Sequence, residues 1–142
     1  MADDILYIYC DGACVPNPGE GGWAALLDFN GNRKVVHGSV PDTTNQRMEI
    51  QAAIGAFEAI KPGFTCDVVV ISDSQYLINC MSGAWKIKSN VDLFMTLQEL
   101  IERHRVTWEW VKGHNGHAQN EIVNNLAEQE ASRLHREKVI SA

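Results

Sequence analysis

The sequence predicts an α/β domain built on a mixed five-stranded sheet, with three antiparallel and two parallel strands flanked by helices. Three observations predict this class: two apolar runs of strand length, a hairpin signal between two further strand-like segments, and apolar residues at helical spacing elsewhere. The chain has 142 residues, and a domain near this size buries roughly 68 to 70% of its unfolded surface. We therefore expect a single domain over residues 1–142, with a loose tail from about residue 136.

The first apolar run, residues 5–10, predicts a central strand covered on both faces because its residues do not alternate with polar ones. We expect this strand to leave the core at Asp11 and to be followed by a turn-rich loop over residues 12–22. A second strand is predicted over residues 23–29 and a returning strand over 33–40, joined by the hairpin signal Asn30-Gly31. The chain should therefore open with an antiparallel meander.

Helices and strands alternate along the rest of the chain. Apolar residues recur at helical spacing from Ile50 to Ile60, until Lys61-Pro62-Gly63 ends the pattern. Residues 66–72 predict another doubly covered strand, which a right-handed crossover makes parallel to the first. Helices are predicted over residues 74–81 and 91–103, and a fifth strand over 106–111. A final helix carries one apolar side formed by Ile122, Val123, Leu126, Ala127 and Leu134.

Composition and charge exclude several classes of protein. No apolar segment approaches the roughly 20 residues of a membrane span, and the first residues lack the basic start of a signal peptide, so we expect a cytosolic protein without a membrane partner. Twelve basic against 18 acidic residues give a net charge of −6, which argues against binding nucleic acid by bulk electrostatics. The four cysteines have no zinc-ribbon spacing, so we expect reduced thiols.

Three carboxylates from separate elements are predicted to converge. Asp11 and Asp73 follow parallel strands and should reach the same end of the sheet, where open α/β sheets bind ligands. Glu49 falls toward the inward, alanine-lined face of its helix, although an interaction with the helix dipole is the simpler alternative. Converging carboxylates repel each other unless a cation lies among them, and Mg²⁺ prefers oxygen ligands. The pattern predicts a magnesium site for phosphoryl chemistry with one or two ions.

Six motifs, lying between residues 9 and 114, follow one another within a segment that extends from about residue 5 to residue 130. They are Tyr9-Cys10-Asp11-Gly12-Ala13-Cys14, Asn17-Pro18-Gly19 with Gly21-Gly22, Thr43-Thr44-Asn45-Gln46-Arg47-Met48-Glu49, Ser72-Asp73-Ser74-Gln75-Tyr76, Asn90-Val91-Asp92-Leu93 and Trp108-Glu109-Trp110-Val111-Lys112-Gly113-His114. In order and spacing, these motifs resemble the type 1 ribonucleases H, which cut the RNA strand of RNA–DNA hybrids. The resemblance implies the ribonuclease H-like fold.

The resemblance also implies the catalytic roles. Asp11 would bridge two Mg²⁺ ions, or Mn²⁺ in their place, and Glu49 and Asp73 would complete the ion on the leaving-group side. Products would carry 5′-phosphate and 3′-hydroxyl ends. His114 would assist proton handling or product release, although a histidine between glycines can also be an ordinary loop residue. His117 follows three residues later, but no further ligands at a suitable spacing support a zinc site.

The same resemblance implies a set of substrate contacts. The backbone at Gly12, with the amides of Asn17, Asn45 and Gln46, would read the 2′-hydroxyls that distinguish RNA from DNA. Thr44 and Asn90 would hold a phosphate of the DNA strand, and Trp85 would pack against deoxyribose. Two simpler interpretations remain open: Asn45 as a helix cap with Gln46 in the first turn, and Trp85 as a core aromatic.

The sequence departs from the family in two places. Asn124 occupies the position of a fourth carboxylate; its oxygen can bind Mg²⁺ but brings no negative charge. Either this is an active natural variant or a substitution introduced to trap a complex. The segment between Tyr76 and Asn90 is short, with only Lys86 and Lys88 where some relatives have a basic protrusion, which predicts weaker, salt-sensitive hybrid binding.

We therefore expect a monomeric, metal-dependent endonuclease acting on RNA–DNA hybrids that retains activity despite Asn124. A catalytically disabled hybrid-binding protein is the alternative. A nuclease for duplex DNA is disfavoured by amides at the positions expected to read 2′-hydroxyls.

Overall fold

A computed structural model describes residues 4–113 and 118–141 as one mixed sheet with flanking helices. The strands are β1 (Ile5–Val15), β2 (Gly19–Phe29), β3 (Asn32–Thr43), β4 (Asp67–Ser72) and β5 (Arg105–Trp110), and the helices are α1 (Asn45–Glu58), α2 (Gln75–Ser82), α3 (Val91–Ile101) and α4 (Ala118–Ser141). The strand order is β3-β2-β1-β4-β5. Strands β1, β2 and β3 pair antiparallel, whereas β4 pairs parallel to both β1 and β5. The predicted fold class, a mixed five-stranded sheet with three antiparallel and two parallel strands flanked by helices, is confirmed.

The loop predicted after Asp11 is wrong, because β1 continues through Val15 and pairs with β2 along its length. Asp11 therefore lies inside the strand, opposite Ala24, and only residues 16–18 form the turn. Gly21 and Gly22 lie in the segment that the sequence predicts as a loop, but in the structure they belong to β2 and permit close packing. A Cβ at Gly21 would lie 2.6 Å from Cγ of Met48, and one at Gly22 would lie 2.6 Å from the backbone nitrogen of Ala131.

The predicted hairpin between β2 and β3 is confirmed. Asn30 and Gly31 both have positive φ, 53° and 85°, which is the backbone twist that a two-residue turn between antiparallel strands favours. Asp28 supports the turn, since its carboxylate accepts a hydrogen bond from the Gly31 backbone N–H at 3.1 Å. The Asn-Gly pair therefore fixes the register of the two strands.

The helices begin and end close to their predicted limits, with four differences. Thr44, not Asn45, caps α1: its hydroxyl accepts a hydrogen bond from the backbone N–H of Arg47 at 3.2 Å. Helix α1 ends at Glu58 and α3 at Ile101, each two residues early. Helix α4 continues to Ser141, so the expected loose tail from about residue 136 is helical instead.

The core lies on both faces of the sheet. On one face, Leu6 and Ile8 of β1 are buried against α1, whose Ile50, Ile54 and Phe57 supply the apolar face that the periodicity predicted. On the opposite face, buried residues of β2 pack against α4, and this second cluster comprises Ala24, Leu26, Val123 and Ala127. Fully burying a side chain the size of leucine or isoleucine contributes about 1.5 to 3 kcal/mol, so both helix layers stabilise the position of the central strands.

Two further observations concern the cysteines and the length and polarity of the helices. All four cysteines are free thiols, as the spacing predicted. In the part of the chain that the structure describes, no helix combines the length and the apolar character needed to cross a bilayer.

Candidate active site

Asp11 is buried at the centre of the sheet, with only 4% of its surface exposed. The parallel pairing of β1 with β4 ends at Tyr9 and Ile71, so Asp11 projects just beyond the point where the neighbouring strand stops. The next residue, Gly12, lies directly against the backbone of α1: a Cβ there would lie 2.5 Å from the backbone nitrogen of Glu49. This close approach brings the Asp11 strand and the start of the Glu49 helix together.

Glu49 lies near the start of α1 and is held by a hydroxyl from a different element. Ser74 Oγ donates a hydrogen bond of 2.7 Å to Glu49 Oε1. Ser74 Oγ also accepts a hydrogen bond of 3.1 Å from the backbone N–H of Leu77. Ser74 is thus both the N-cap of α2 and the partner of Glu49. One hydroxyl couples the Glu49 carboxylate to the start of the second helix.

Asp73 follows the last residue of β4, as the sequence predicted, and is held by residues of and after β5. The indole Nε1 of Trp110 donates a hydrogen bond of 3.0 Å to the Asp73 backbone carbonyl. Gly113 lies against the carboxylate, since a Cβ there would come within 2.9 Å of Asp73 Oδ2. Sequence reasoning did not assign roles to Ser74, Trp110 or Gly113; a serine before a helix and a tryptophan at a strand end were the available signals.

Asn124 of α4 completes the group. Together with Asp11, Glu49 and Asp73 it lines a cavity of about 550 Å³, so the four residues predicted to bind metal surround one space. Alternation along β1 turns Asp11 toward the face of the sheet that α4 covers, which explains why Asn124 reaches the cavity. The other lining residues are Gly12, Ala13, Cys14, Val15, Asn45, Glu128 and Ser132.

The crowding of carboxylates shows in their proton affinities. Burial, together with the charge of the nearby Asp73 carboxylate, raises the pKa of Asp11 to about 8. Burial also raises the pKa of Glu49 to about 7, with a further contribution from Asp73, although the hydrogen bond from Ser74 opposes the shift. Both groups therefore hold protons more tightly than exposed carboxyls do, because burial and the nearby Asp73 carboxylate disfavour their charged forms.

The donor set fits divalent cations with a preference for oxygen. Within residues 4–113 and 118–141, no three His, Cys, Asp or Glu side chains already stand in the arrangement of a metal site. Three carboxylates and one amide nevertheless line the same cavity, and oxygen donors of this kind are the ones that Mg²⁺ and Mn²⁺ take. Raised pKa values in a shared cavity indicate carboxylates that a cation would stabilise in their charged form.

A second cavity of about 830 Å³ adjoins the first and contains most of the predicted substrate contacts. It shares Asn45, Glu49 and Asp73 with the first cavity, and its other lining residues include Asn17, Thr44, Gln46, Asn90 and Trp110. Trp85 lines neither cavity, but its 49% exposure rules out the core interpretation. His114 and His117 lie outside the described residues.

Two hydrogen-bond networks order this groove. Asn17 Oδ1 accepts a hydrogen bond of 3.1 Å from the backbone N–H of Asn45, which joins the β1–β2 turn to the start of α1. Asn90 has a left-handed backbone with φ of 53°. Its amide nitrogen donates to the Tyr76 hydroxyl at 3.0 Å, and its oxygen accepts from Arg47 Nη1 at 3.3 Å. Amide groups from three separate elements therefore face one groove in fixed orientations.

Fold and site together define the class of this chain: an α/β protein with an acidic cleft beside its central strands. The family profile described as RNase H matches residues 3–132, which is most of the chain. The chain belongs to the ribonuclease H family.

Similar proteins agree with this assignment. The chain is 45% identical over 137 residues to a ribonuclease H of Coxiella burnetii (strain Dugway 5J108-111), covering 87% of this chain and 88% of the relative. It is 41% identical over a 153-residue alignment to a ribonuclease H of Stutzerimonas stutzeri (strain A1501), covering 99% and 100%. Among solved structures, LC9-RNase H1, described as a type 1 RNase H with the type 2 active-site motif, superposes with a TM-score of 0.80 at 33% identity, covering 93% of this chain and 74% of that chain.

Proposed function

We propose that this protein is a metal-dependent endonuclease that hydrolyses the RNA strand of RNA–DNA hybrids, leaving 5′-phosphate and 3′-hydroxyl ends. The observation that carries the proposal is the convergence of Asp11, Glu49, Asp73 and Asn124 on one cavity, which adjoins an amide-lined groove. A phosphodiester lying along the groove would bring one phosphate to the carboxylates. Membership of the ribonuclease H family supports the same activity.

The four cavity residues would hold the divalent cations, two Mg²⁺ ions with substrate or Mn²⁺ in their place. When bound, such ions supply charge neutralisation at the phosphate and a water molecule of lowered pKa. Asp11, which is buried at the centre of the sheet, would be one of the carboxylates that hold these ions. The Ser74 hydroxyl holds Glu49 in one orientation, while Trp110 fixes the backbone at Asp73.

Substrate choice would rest on neutral amides. The Asn17 amide oxygen is engaged by the backbone N–H of Asn45, which leaves its NH₂ group to donate to a ligand. Gln46 is exposed in the first turn of α1 and lines the same groove. Donors and acceptors of this size suit the 2′-hydroxyl of RNA, which both donates and accepts hydrogen bonds. The backbone at Gly12 would add a further contact close to Asp11.

The DNA strand would be held at the far side of the groove. Thr44 and Asn90 line it there, and Arg47 brings a guanidinium to Asn90. Arg47 is also paired with Asp92 at 2.7 Å, so its charge is largely neutralised in the free protein. The half-exposed Trp85 would pack against deoxyribose without any change in the core.

A second function, binding hybrids without cleaving them, is favoured by one observation: the neutral Asn124 lines the cavity together with three carboxylates, where the family resemblance implies a fourth. The two functions share the groove and differ only in whether three carboxylates suffice for catalysis.

The first experiment measures cleavage of a labelled RNA–DNA hybrid, with duplex DNA and duplex RNA as controls, while Mg²⁺ and Mn²⁺ are titrated. We expect cleavage of the hybrid's RNA strand alone, abolished by Asp11→Asn. Asp67→Asn is the matched control, because Asp67 is an exposed aspartate at the opposite end of β4 and lines neither cavity. Absence of hybrid cleavage at every concentration of both metals would overturn the proposal.

The second experiment restores the fourth carboxylate with Asn124→Asp. A modest increase over measurable activity supports an active enzyme with three carboxylates, since an amide oxygen already serves as a ligand. A large increase from undetectable activity supports the hybrid-binding protein instead. The affinity for the hybrid, measured in Ca²⁺, should be similar for the unchanged protein and for Asn124→Asp.

A further inference from the structure

Glu128 lines the same cavity as Asp11 and Asn124, although the sequence motifs assign it no role. Its side chain is exposed, and no ion pair involves it within the described part of the chain. Two other acidic residues of α4 differ in this respect: Glu130 and Glu137 are both paired with Arg133, at 3.3 and 2.8 Å. Among the described residues, therefore, no basic side chain is paired with the Glu128 carboxylate beside the cavity.

Helical geometry aims Glu128 toward Asn124. Residues four apart lie on the same face of a helix, and long side chains lean toward the N-terminus, over the preceding turn. Glu128 therefore extends back over Asn124. Glu121 lies one turn on the other side of Asn124, but its side chain leans away from it by the same rule, and it does not line the cavity. Both glutamates are exposed, but only Glu128 lines the cavity.

The packing of α4 on the sheet places the Glu128 turn beside the Asp11 strand. A Cβ at Gly22 would lie 2.6 Å from the backbone nitrogen of Ala131, so this turn of α4 lies directly on β2 at Gly22. Gly22 pairs with Ala13, which is the neighbour of Asp11 on the same face of β1. The charge of Glu128 is therefore held close to the cavity by helix and sheet together.

We propose that Glu128 supplies, for the cation bound at Asp11 and Asn124, the negative charge that Asn124 lacks. The inference rests on the proposed function, since it concerns the metal that this function requires. It assigns Glu128 a charge-supplying role and does not require direct coordination, because attraction between a divalent cation and a carboxylate persists across an intervening water molecule.

The test measures Mn²⁺ affinity of the substrate-free protein by calorimetric titration, for the unchanged protein, Glu128→Gln and Glu121→Gln. We expect Glu128→Gln to raise the dissociation constant about tenfold, and Glu121→Gln, which removes the same charge, to change it less than about twofold. In an Asn124→Asp background, the effect of Glu128→Gln should shrink, because the ion then has a charged ligand. Unfolding temperatures without metal should be equal for the unchanged protein, Glu128→Gln and Glu121→Gln.

Equal Mn²⁺ affinity of Glu128→Gln and the unchanged protein would overturn the inference. So would equal weakening by Glu128→Gln and Glu121→Gln, since that result indicates a general effect of net charge. Failure of the proposed function would give a different result. If the protein bound Mn²⁺ tightly with the help of Glu128 but cleaved no hybrid, only the proposed nuclease activity would be refuted. No Mn²⁺ binding by the unchanged protein would refute both.

Discussion

The hydroxyl of Ser74 donates a 2.7 Å hydrogen bond to Oε1 of Glu49 while it accepts one of 3.1 Å from the backbone N–H of Leu77. The orientation of an active-site carboxylate is thereby tied to the first turn of α2. Because Ser74 is only 6% exposed, water cannot readily replace it in either contact. The dual role allows the two contributions to be separated by substitution.

Ser74→Ala should reduce both stability and activity. Loss of the N-cap costs about 1 kcal/mol, and loss of a hydrogen bond that orients a metal ligand typically costs about 10- to 100-fold in metal affinity or activity. Ser74→Gly is the matched variant, since glycine at an N-cap costs only a few tenths of a kcal/mol. Both variants should therefore lose hybrid cleavage to a similar extent. Only Ser74→Ala should have a clearly lower unfolding temperature. Full activity in Ser74→Gly would show that Glu49 needs no such support.

Gly113→Ala should impair the site without unfolding the protein. The new Cβ would lie 2.9 Å from Asp73 Oδ2, so the carboxylate must shift, which is possible because it is the end of a side chain. We expect at least about tenfold weaker Mn²⁺ binding and slower cleavage, with a nearly unchanged unfolding temperature.

Gly63→Ala provides the contrast to Gly113→Ala. Nothing lies within 4 Å of its added Cβ, but its φ of +84° is strained for alanine, at a cost of about 1 kcal/mol. This variant should unfold at a lower temperature and cleave normally. If both variants lost activity equally, the contact with Asp73 would have no special importance.

The sequence correctly predicted that Asp73 directly follows the end of its strand, but wrongly predicted that the first strand ends at Asp11. The difference has a physical reason. β4 is short and its pairing with β5 ends at Ser72, so the end of the apolar run is also the end of the strand. β1 continues for four residues beyond Asp11 because β2 pairs with it on its other side. Glycines that pattern reasoning assigns to turns are instead required by close packing, as at Gly22 against α4. Such contacts join residues distant in sequence, and local patterns carry no record of them.

The assignment of α1's cap shows a similar limit. Thr44 and Asn45 are both residue types that cap helices, and only the backbone conformation, extended at Thr44, decides between them. The six motifs predict residues that are distant in sequence and that line one cavity in the structure, because family resemblance carries tertiary information. The roles of Asp11, Glu49, Asp73, His114 and Asn124 in catalysis remain predictions.

The ion pair between Arg47 and Asp92 predicts a pH dependence of stability. Hydrogen bonds from the Arg47 guanidinium lower the pKa of Asp92 to about 2. A lowered pKa means that the contribution is complete above the ordinary aspartate pKa, near 4, and disappears as the pH falls toward 2. The unfolding temperature of Asp92→Asn should therefore lie below that of the unchanged protein at pH 7, and the difference should vanish between about pH 4 and pH 2.

Asp67→Asn is the control for Asp92→Asn. Its partner Arg105 lies 3.8 Å away, and both side chains are mostly exposed, so this pair should contribute little at any pH. A difference for Asp92→Asn that persists unchanged at pH 2 would indicate that packing, not the charge, is responsible.

An ion pair between Lys138 of α4 and Glu20 of β2 joins the last helix to the sheet. Its Nζ lies 2.6 Å from Oε1 of Glu20, a β2 residue whose side chain is only 3% exposed, and His135 approaches the other oxygen at 3.4 Å. Lys138→Met should lower the unfolding temperature, because it leaves the enclosed carboxylate with less compensating charge. Arg136→Met is the control, since Arg136 is exposed on the same turn and forms no ion pair among the described residues.

The double variant Glu20→Gln with Lys138→Met should recover part of the loss, because an uncharged pair needs no compensation. Recovery would show that the cost comes from an unpaired charge and not from lost contacts of the lysine stem. Since α4 also carries Asn124 and Glu128, the same variants should be assayed for Mn²⁺ affinity. We expect Lys138→Met to weaken Mn²⁺ binding only at temperatures where α4 begins to detach. Weaker binding well below the unfolding transition would mean that the Glu20 contact positions the helix over the site even in the folded protein.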